Sequence, residues 1–143
     1  VGIDRLETKA FTQQDFRAGK SIAQVTILTG DITDSAIQQQ VIDQAGRKVD
    51  LVLSDMSPDL TGVYFQDAAR SAELVEIAFD VASRLLVPGG NIVTKIFPGS
   101  EADELFNQVR KFYNKVSRVS LKSTRKTSKE FYFVGQGFKG SLD

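Results

Sequence analysis

The chain has 143 residues with 18 Lys or Arg against 18 Asp or Glu, so its formal net charge is zero and its length suits one domain with a real core. It contains no cysteine and no histidine, which excludes thiolate nucleophiles, disulfides, structural zinc sites and Ser-His-Asp triads together. Any catalysis must then rest on carboxylates, lysines, hydroxyls or a bound cofactor.

The first element is the short run "VGI", closed by Asp4. "QVTILTGD" (24–31) is a β-branched run stopped by Gly30 and Asp31, and it reads as a strand. "DSAIQQQVIDQAG" (34–46) follows as a helix, with an Asp cap, a terminal Gly46, and Ile37, Val41 and Ile42 on one face. "VDLVLSDM" (49–56) is nearly apolar, as a strand covered on both faces would be. The stretch 67–87 spaces Leu74, Ala78, Val81 and Leu85 at helical intervals before "PGG" breaks it. "NIVTKIF" (91–97) is the next strand, and "SEADELFNQVRKFY" (100–113) the next helix, with a Ser cap and an acidic first turn. "KVSRVSL" (115–121) and "EFYFVGQGF" (130–138) are two strands with no long helix between them, so they are expected to pair antiparallel at a sheet edge.

Strands alternating with helices predict an α/β fold, a mostly parallel sheet with helices on both faces that the terminal pair makes mixed. In such folds ligands bind at the carboxyl ends of the strands. Asp4, Asp31, Asp55 and Lys95 stand at or near such ends. Any one Asp there, taken alone, reads as a turn residue bonding nearby backbone N–H groups. Lys95 sits between Val93-Thr94 and Ile96-Phe97, so it either points into a cleft or snorkels at an edge. Burial would favour its neutral form, and a nearby Asp55 its charged form. From Arg110 to Lys129 there are eight Lys or Arg and no Asp or Glu: a solvated face, or a surface that tracks phosphates. Glu130 closes that run, and it can serve simply to neutralise Lys129 or Arg125. No apolar run approaches the roughly 18 residues of a spanning helix, and the start lacks the order of a signal peptide, so an intracellular protein is expected.

Three blocks, "VDLVLSDMSPDLTG", "LLVPGGNIVTKIFPG" and "STRKTSKEFYFVGQGF", together resemble the FtsJ/RrmJ family of S-adenosylmethionine-dependent ribose 2′-O-methyltransferases, in the branch acting on large-subunit ribosomal RNA. The resemblance runs from about Asp4 to Phe138 and implies a Rossmann-like methyltransferase fold over a single domain, residues 1–143. It also implies a Lys-Asp-Lys-Glu tetrad, of which Asp55, Lys95 and Glu130 match the last three members. By the same matching, Asp4 would hold the ribose hydroxyls of S-adenosylmethionine, Asp31 and Ile32 would meet its adenine, and Asp55 would lie near its methionine moiety. The family's first strand, glycine-rich loop and first catalytic lysine lie upstream of Val1, so the chain is expected to be the larger, C-terminal part of the domain.

The chemistry that follows from the resemblance is removal of the proton from a ribose 2′-hydroxyl, with Lys95 as base or as the charge steadying an alkoxide, and with Asp55 and Glu130 orienting it. Lys122, Arg125 and Lys126 would hold phosphates of the RNA, ribosomal RNA or the large ribosomal subunit. No metal and no membrane are expected as partners, and a monomer in the cytoplasm or the mitochondrial matrix is. The competing readings are a tRNA or mRNA-cap methyltransferase of the same family, or a noncatalytic RNA-binding or ribosome-assembly factor that retains the fold. A dehydrogenase-like nucleotide domain fits less well, because the three blocks argue against it and the one G-x-G-x-x-G, "GQGFKG" (135–140), begins within the last expected strand instead of opening a helix.

Overall fold

The structure, a computed structural model, describes residues 1–5, 26–120 and 131–140. Three helices and six strands are assigned among them, and the chain divides into two compact units, Val1–Arg47 and Lys48–Asp143.

In the first unit, β1 (Gly2–Asp4) and β2 (Ile27–Thr29) pair in parallel, with Asp4 opposite Thr29. Helix α1 (Ser35–Ala45) begins where the sequence places it, because the Asp34 carboxylate accepts the Ala36 N–H at 2.9 Å. It stops at Gly46, whose φ of 75° is the left-handed cap that glycine adopts without a Cβ penalty. Val41 is buried on its inner face, flanked by half-buried Ile37 and Ile42.

The second unit is a four-stranded mixed sheet in the order β3-β4-β6-β5. Strand β3 (Val49–Ser54) runs parallel to β4 (Leu86–Ile96), while β6 (Phe131–Phe138) is antiparallel to both β4 and β5 (Tyr113–Val119). The terminal pair is thus antiparallel as expected, with β6 inside the sheet and β5 at its edge. Helix α2 (Tyr64–Leu85) starts one turn earlier than its apolar spacing indicates, and its apolar face packs on β4. Leu86 already belongs to β4; "PGG" loops out within that strand, where the β3 register jumps from Val49↔Leu86 to Leu51↔Asn91. Helix α3 (Ser100–Val109) tightens into a 3₁₀ turn over Arg110–Phe112, and its N-cap is Gly99, so Ser100 is not the cap the sequence suggests.

The core lies between α2, α3 and the sheet. Ile92, Ile96 and Phe133 are fully buried on adjacent strands, and Val75, Ala78 and Ala82 face them from α2. Gly135 on β6 leaves room for the Tyr113 ring: a Cβ there would stand 2.8 Å from Ile92 and 3.0 Å from Tyr113. Burial without a hydrogen-bond partner pushes the Tyr113 phenol up to about 12. The Arg118 guanidinium lies 4.6 Å over the Phe106 ring and 2.6 Å from Asp103, tying the edge strand to α3.

Strand β3 departs from its near-continuous apolar sequence. Leu51 and Leu53 remain 49% and 71% exposed, so one side of the strand is uncovered. Phe133→Ala is therefore expected to lower unfolding free energy by about 3–5 kcal/mol, and Leu53→Ala to change it by no more than about 0.5 kcal/mol. Urea denaturation followed by circular dichroism reads both; equal losses would contradict the placement of the core.

Candidate active site

The register of two parallel strands builds the centre of the site. Leu53 opposes Val93 and Ser54 opposes Thr94, so the next residues along, Asp55 and Lys95, are neighbours at the carboxyl ends of β3 and β4. Thr94 and Ile96 are buried, and the period-two alternation of a strand turns Lys95 away from them. Its side chain is only 14% exposed, yet its Nζ stands 3.0 Å from Asp55 Oδ1, whose side chain is 77% exposed. Lys95 therefore does not snorkel from an edge: β4 is an inner strand, and Lys95 pairs on its other side with Tyr132 of β6. An amine so largely removed from water requires a polar partner, and Asp55 supplies one.

Helix α2 holds the chain on both sides of this pair. The Asp67 carboxylate accepts the Thr61 N–H and hydroxyl at 2.8 Å each, and the Gly62 N–H at 3.2 Å. The backbone and hydroxyl bonds from Thr61 hold the Asp67 carboxyl below the usual carboxylate range, against the opposing effect of desolvation. Ser71 Oγ accepts the Phe97 N–H at 3.0 Å, and the Tyr64 hydroxyl donates to the Pro98 carbonyl at 2.6 Å. Sequence reasoning missed these three residues. The legible signal is Asp67 and Ser71, four apart among Ala68, Ala69 and Ala72, on a helix face that should otherwise be apolar.

In the first unit, parallel pairing brings Asp4 and Asp31 to one end of the two-stranded sheet, where the Gly30 N–H donates to the Asp4 carbonyl at 2.9 Å. Asp31 is already engaged as a turn residue. Its Oδ1 accepts the Thr33 hydroxyl and N–H at 2.7 and 2.9 Å, and its Oδ2 meets Arg5 at 3.1 Å. The Thr33 hydroxyl and N–H, then Arg5, hold its carboxyl below the usual range. The Ile32 carbonyl accepts the amide of buried Gln38 at 2.9 Å, which fixes the turn. Arg5, which contacts Asp31, is itself 73% exposed.

Glu130 and the phosphate-binding candidates Lys122, Arg125 and Lys126 lie outside the described residues. Among the described residues no group of three His, Cys, Asp or Glu is arranged to hold a metal ion, and no helix is long and apolar enough to cross a membrane.

A family model described as FtsJ-like methyltransferase matches residues 3–138. The ribosomal RNA large subunit methyltransferase E of Pseudomonas fluorescens is 41% identical over 121 residues, which cover 84% of this chain and 58% of that protein. The protein of the same description from Methanothermobacter thermautotrophicus is 37% identical over 140 residues, 98% of this chain and 62% of that one. The chain thus spans about three fifths of the length of the curated relatives it matches. A crystal structure described as that of a ribosomal RNA methyltransferase from Plasmodium falciparum superposes with a TM-score of 0.71 at 22% identity, over 85% of this chain and 68% of that one. At that identity the likeness establishes the fold, a Rossmann-type α/β methyltransferase architecture with a mixed sheet.

The Asp67 hydrogen bonds make a pH-dependent contribution with a definite sign. Because its folded value lies below the ordinary 3.8, the stabilisation is complete above that value and is lost as pH falls through the folded one. The denaturation midpoints of the wild type and Asp67→Asn should differ most at pH 6 and converge as pH drops below about 3.8. A gap that stays constant to pH 2 would show that the carboxylate charge contributes nothing.

Proposed function

The chain belongs to the FtsJ-like methyltransferase family, and from that premise we propose that the protein transfers a methyl group from S-adenosylmethionine to a ribose 2′-hydroxyl of RNA, with large-subunit ribosomal RNA as its substrate. The observation that carries this reading is the Lys95–Asp55 contact at the carboxyl ends of adjacent parallel strands. It is supported by the 37–41% identity to proteins described as large-subunit ribosomal RNA methyltransferases.

A ribose hydroxyl is a poor nucleophile near neutral pH, so the protein must take its proton and align its oxygen. Lys95 Nζ is proposed to do so, either by accepting the proton or, as the ammonium, by steadying the oxyanion. Asp55, 3.0 Å away, keeps that nitrogen at the rim. Glu130 is proposed to complete the set by orienting Lys95 and the hydroxyl.

The donor set at the ends of β1 and β2 fits S-adenosylmethionine. Asp4 offers acceptors for ribose hydroxyls, and Asp31 with Ile32 offers a carboxylate and a backbone edge for adenine once Arg5 swings away. The bound cofactor would supply a methyl group already activated on a sulfonium. Lys122, Arg125 and Lys126 are proposed to grip phosphates flanking the target ribose, which adds affinity without reading sequence.

In the full-length protein, Lys95→Ala should lower kcat for RNA methylation by about 10²–10⁴-fold; near-normal turnover would remove Lys95 from the mechanism. Running the assay on separate ribosomal RNA, tRNA and capped mRNA substrates identifies the acceptor. Lys122, Arg125 and Lys126 changed together to Ala should weaken RNA binding and reduce the slope of log K against log salt by about 2. An unchanged slope would return that run to a solvated surface.

A further inference from the structure

Tyr64, Asp67 and Ser71 stand at positions i, i+3 and i+7 of α2 and so share one side of its first two turns. Asp67 and Ser71 are 5% and 2% exposed, each followed by a buried alanine, Ala68 and Ala72. Packing alone does not call for an acid and a hydroxyl there, since such groups are seldom buried without a partner. The bonds they make lie on the two chain segments that leave the candidate site. Asp67 grips Thr61 and Gly62, at the far end of the loop that begins with Asp55. Ser71 and Tyr64 grip Phe97 and Pro98, the first two residues after β4.

This matters because the β3–β4 ladder ends at Ser54↔Thr94. Lys95 keeps its place through Tyr132 on β6, whereas Asp55 lies beyond the last paired residue of β3. The β3–β4 ladder brings the two positions side by side, but Asp55 stands one residue past its last pair and takes no ladder bond of its own. Among the described residues, α2 is hydrogen-bonded to both segments leaving the site.

We propose that Tyr64, Asp67 and Ser71 are positioning residues, a bracket on α2 that holds Asp55 and Lys95 at the separation methyl transfer requires. The inference rests on the reading of that pair as the reacting centre. The bracket acts through backbone at 61–62 and 97–98, so it governs turnover more than binding.

The test uses the full-length protein with Tyr64→Phe, which removes only the hydroxyl, and Ser71→Ala. Each should lower kcat about ten- to a hundred-fold, with KM for RNA and for S-adenosylmethionine within about two-fold of wild type. Ser71→Thr, which keeps the acceptor, should restore most of the loss. Single-turnover rates in an Asp55→Asn background should show little further loss from either change, because effects that act through one contact do not multiply. Losses that multiply there, or a kcat that does not move, would overturn the bracket. NMR relaxation of the Lys95 Cε group gives an independent reading: its order parameter should fall in Tyr64→Phe and Ser71→Ala, and an unchanged value also overturns the proposal. If the wild type methylates no RNA, the proposed function fails, yet the relaxation data still report whether α2 orders the pair.

Discussion

The contact between the Lys95 amine and the Asp55 carboxylate is the constraint that organises the 48–143 unit. A lysine side chain 14% exposed on an inner strand requires an acceptor, and the acceptor must come from a residue close in register. Parallel pairing of β3 with β4 provides that: Ser54↔Thr94 sets the next positions side by side. The strands hold that register because Ile92, Ile96 and Phe133 are packed without exposure beneath α2 and α3, and because β6 pairs along the other side of β4. Core packing and site geometry thus depend on the same strand.

Much of this was readable from residue order. Alternation of strand and helix patterns indicates the α/β class, Asp34 and Gly46 mark both ends of α1, and parallel strands put Asp55 and Lys95 at one rim. The misreadings have local physical causes. Apolar spacing begins α2 at residue 67 because Tyr64, Phe65 and Gln66 contribute nothing to its buried face. "PGG" looks like the boundary between helix and strand, but Leu86 joins the ladder before it, and the chain accommodates the three residues as a bulge. The bracket residues were invisible because a hydrophobic period counts Asp67 and Ser71 as interruptions; their meaning lies in Thr61, Gly62 and Phe97, which only the fold brings to them.

In the 1–47 unit the two oxygens of one carboxylate have different partners. Asp31 is the turn residue that its position after Gly30 suggests, bonded to Thr33, and it stands with Asp4 at the end of a parallel pair. The turn bonds occupy one oxygen and an exposed Arg5 meets the other, so the second oxygen is the one a ligand would compete for. That distinction between the two oxygens does not exist in the sequence, where Asp31 is a single letter between Gly30 and Ile32.

The measurement that bears most directly on this account is a crystal structure of the full-length protein with S-adenosylhomocysteine and a short RNA carrying the target nucleotide. The account predicts the 2′-hydroxyl within hydrogen-bonding distance of Lys95 Nζ, with Asp55 still in contact with that nitrogen. A ribose bound away from the carboxyl ends of β3 and β4, leaving the Lys95–Asp55 pair facing solvent, would contradict it.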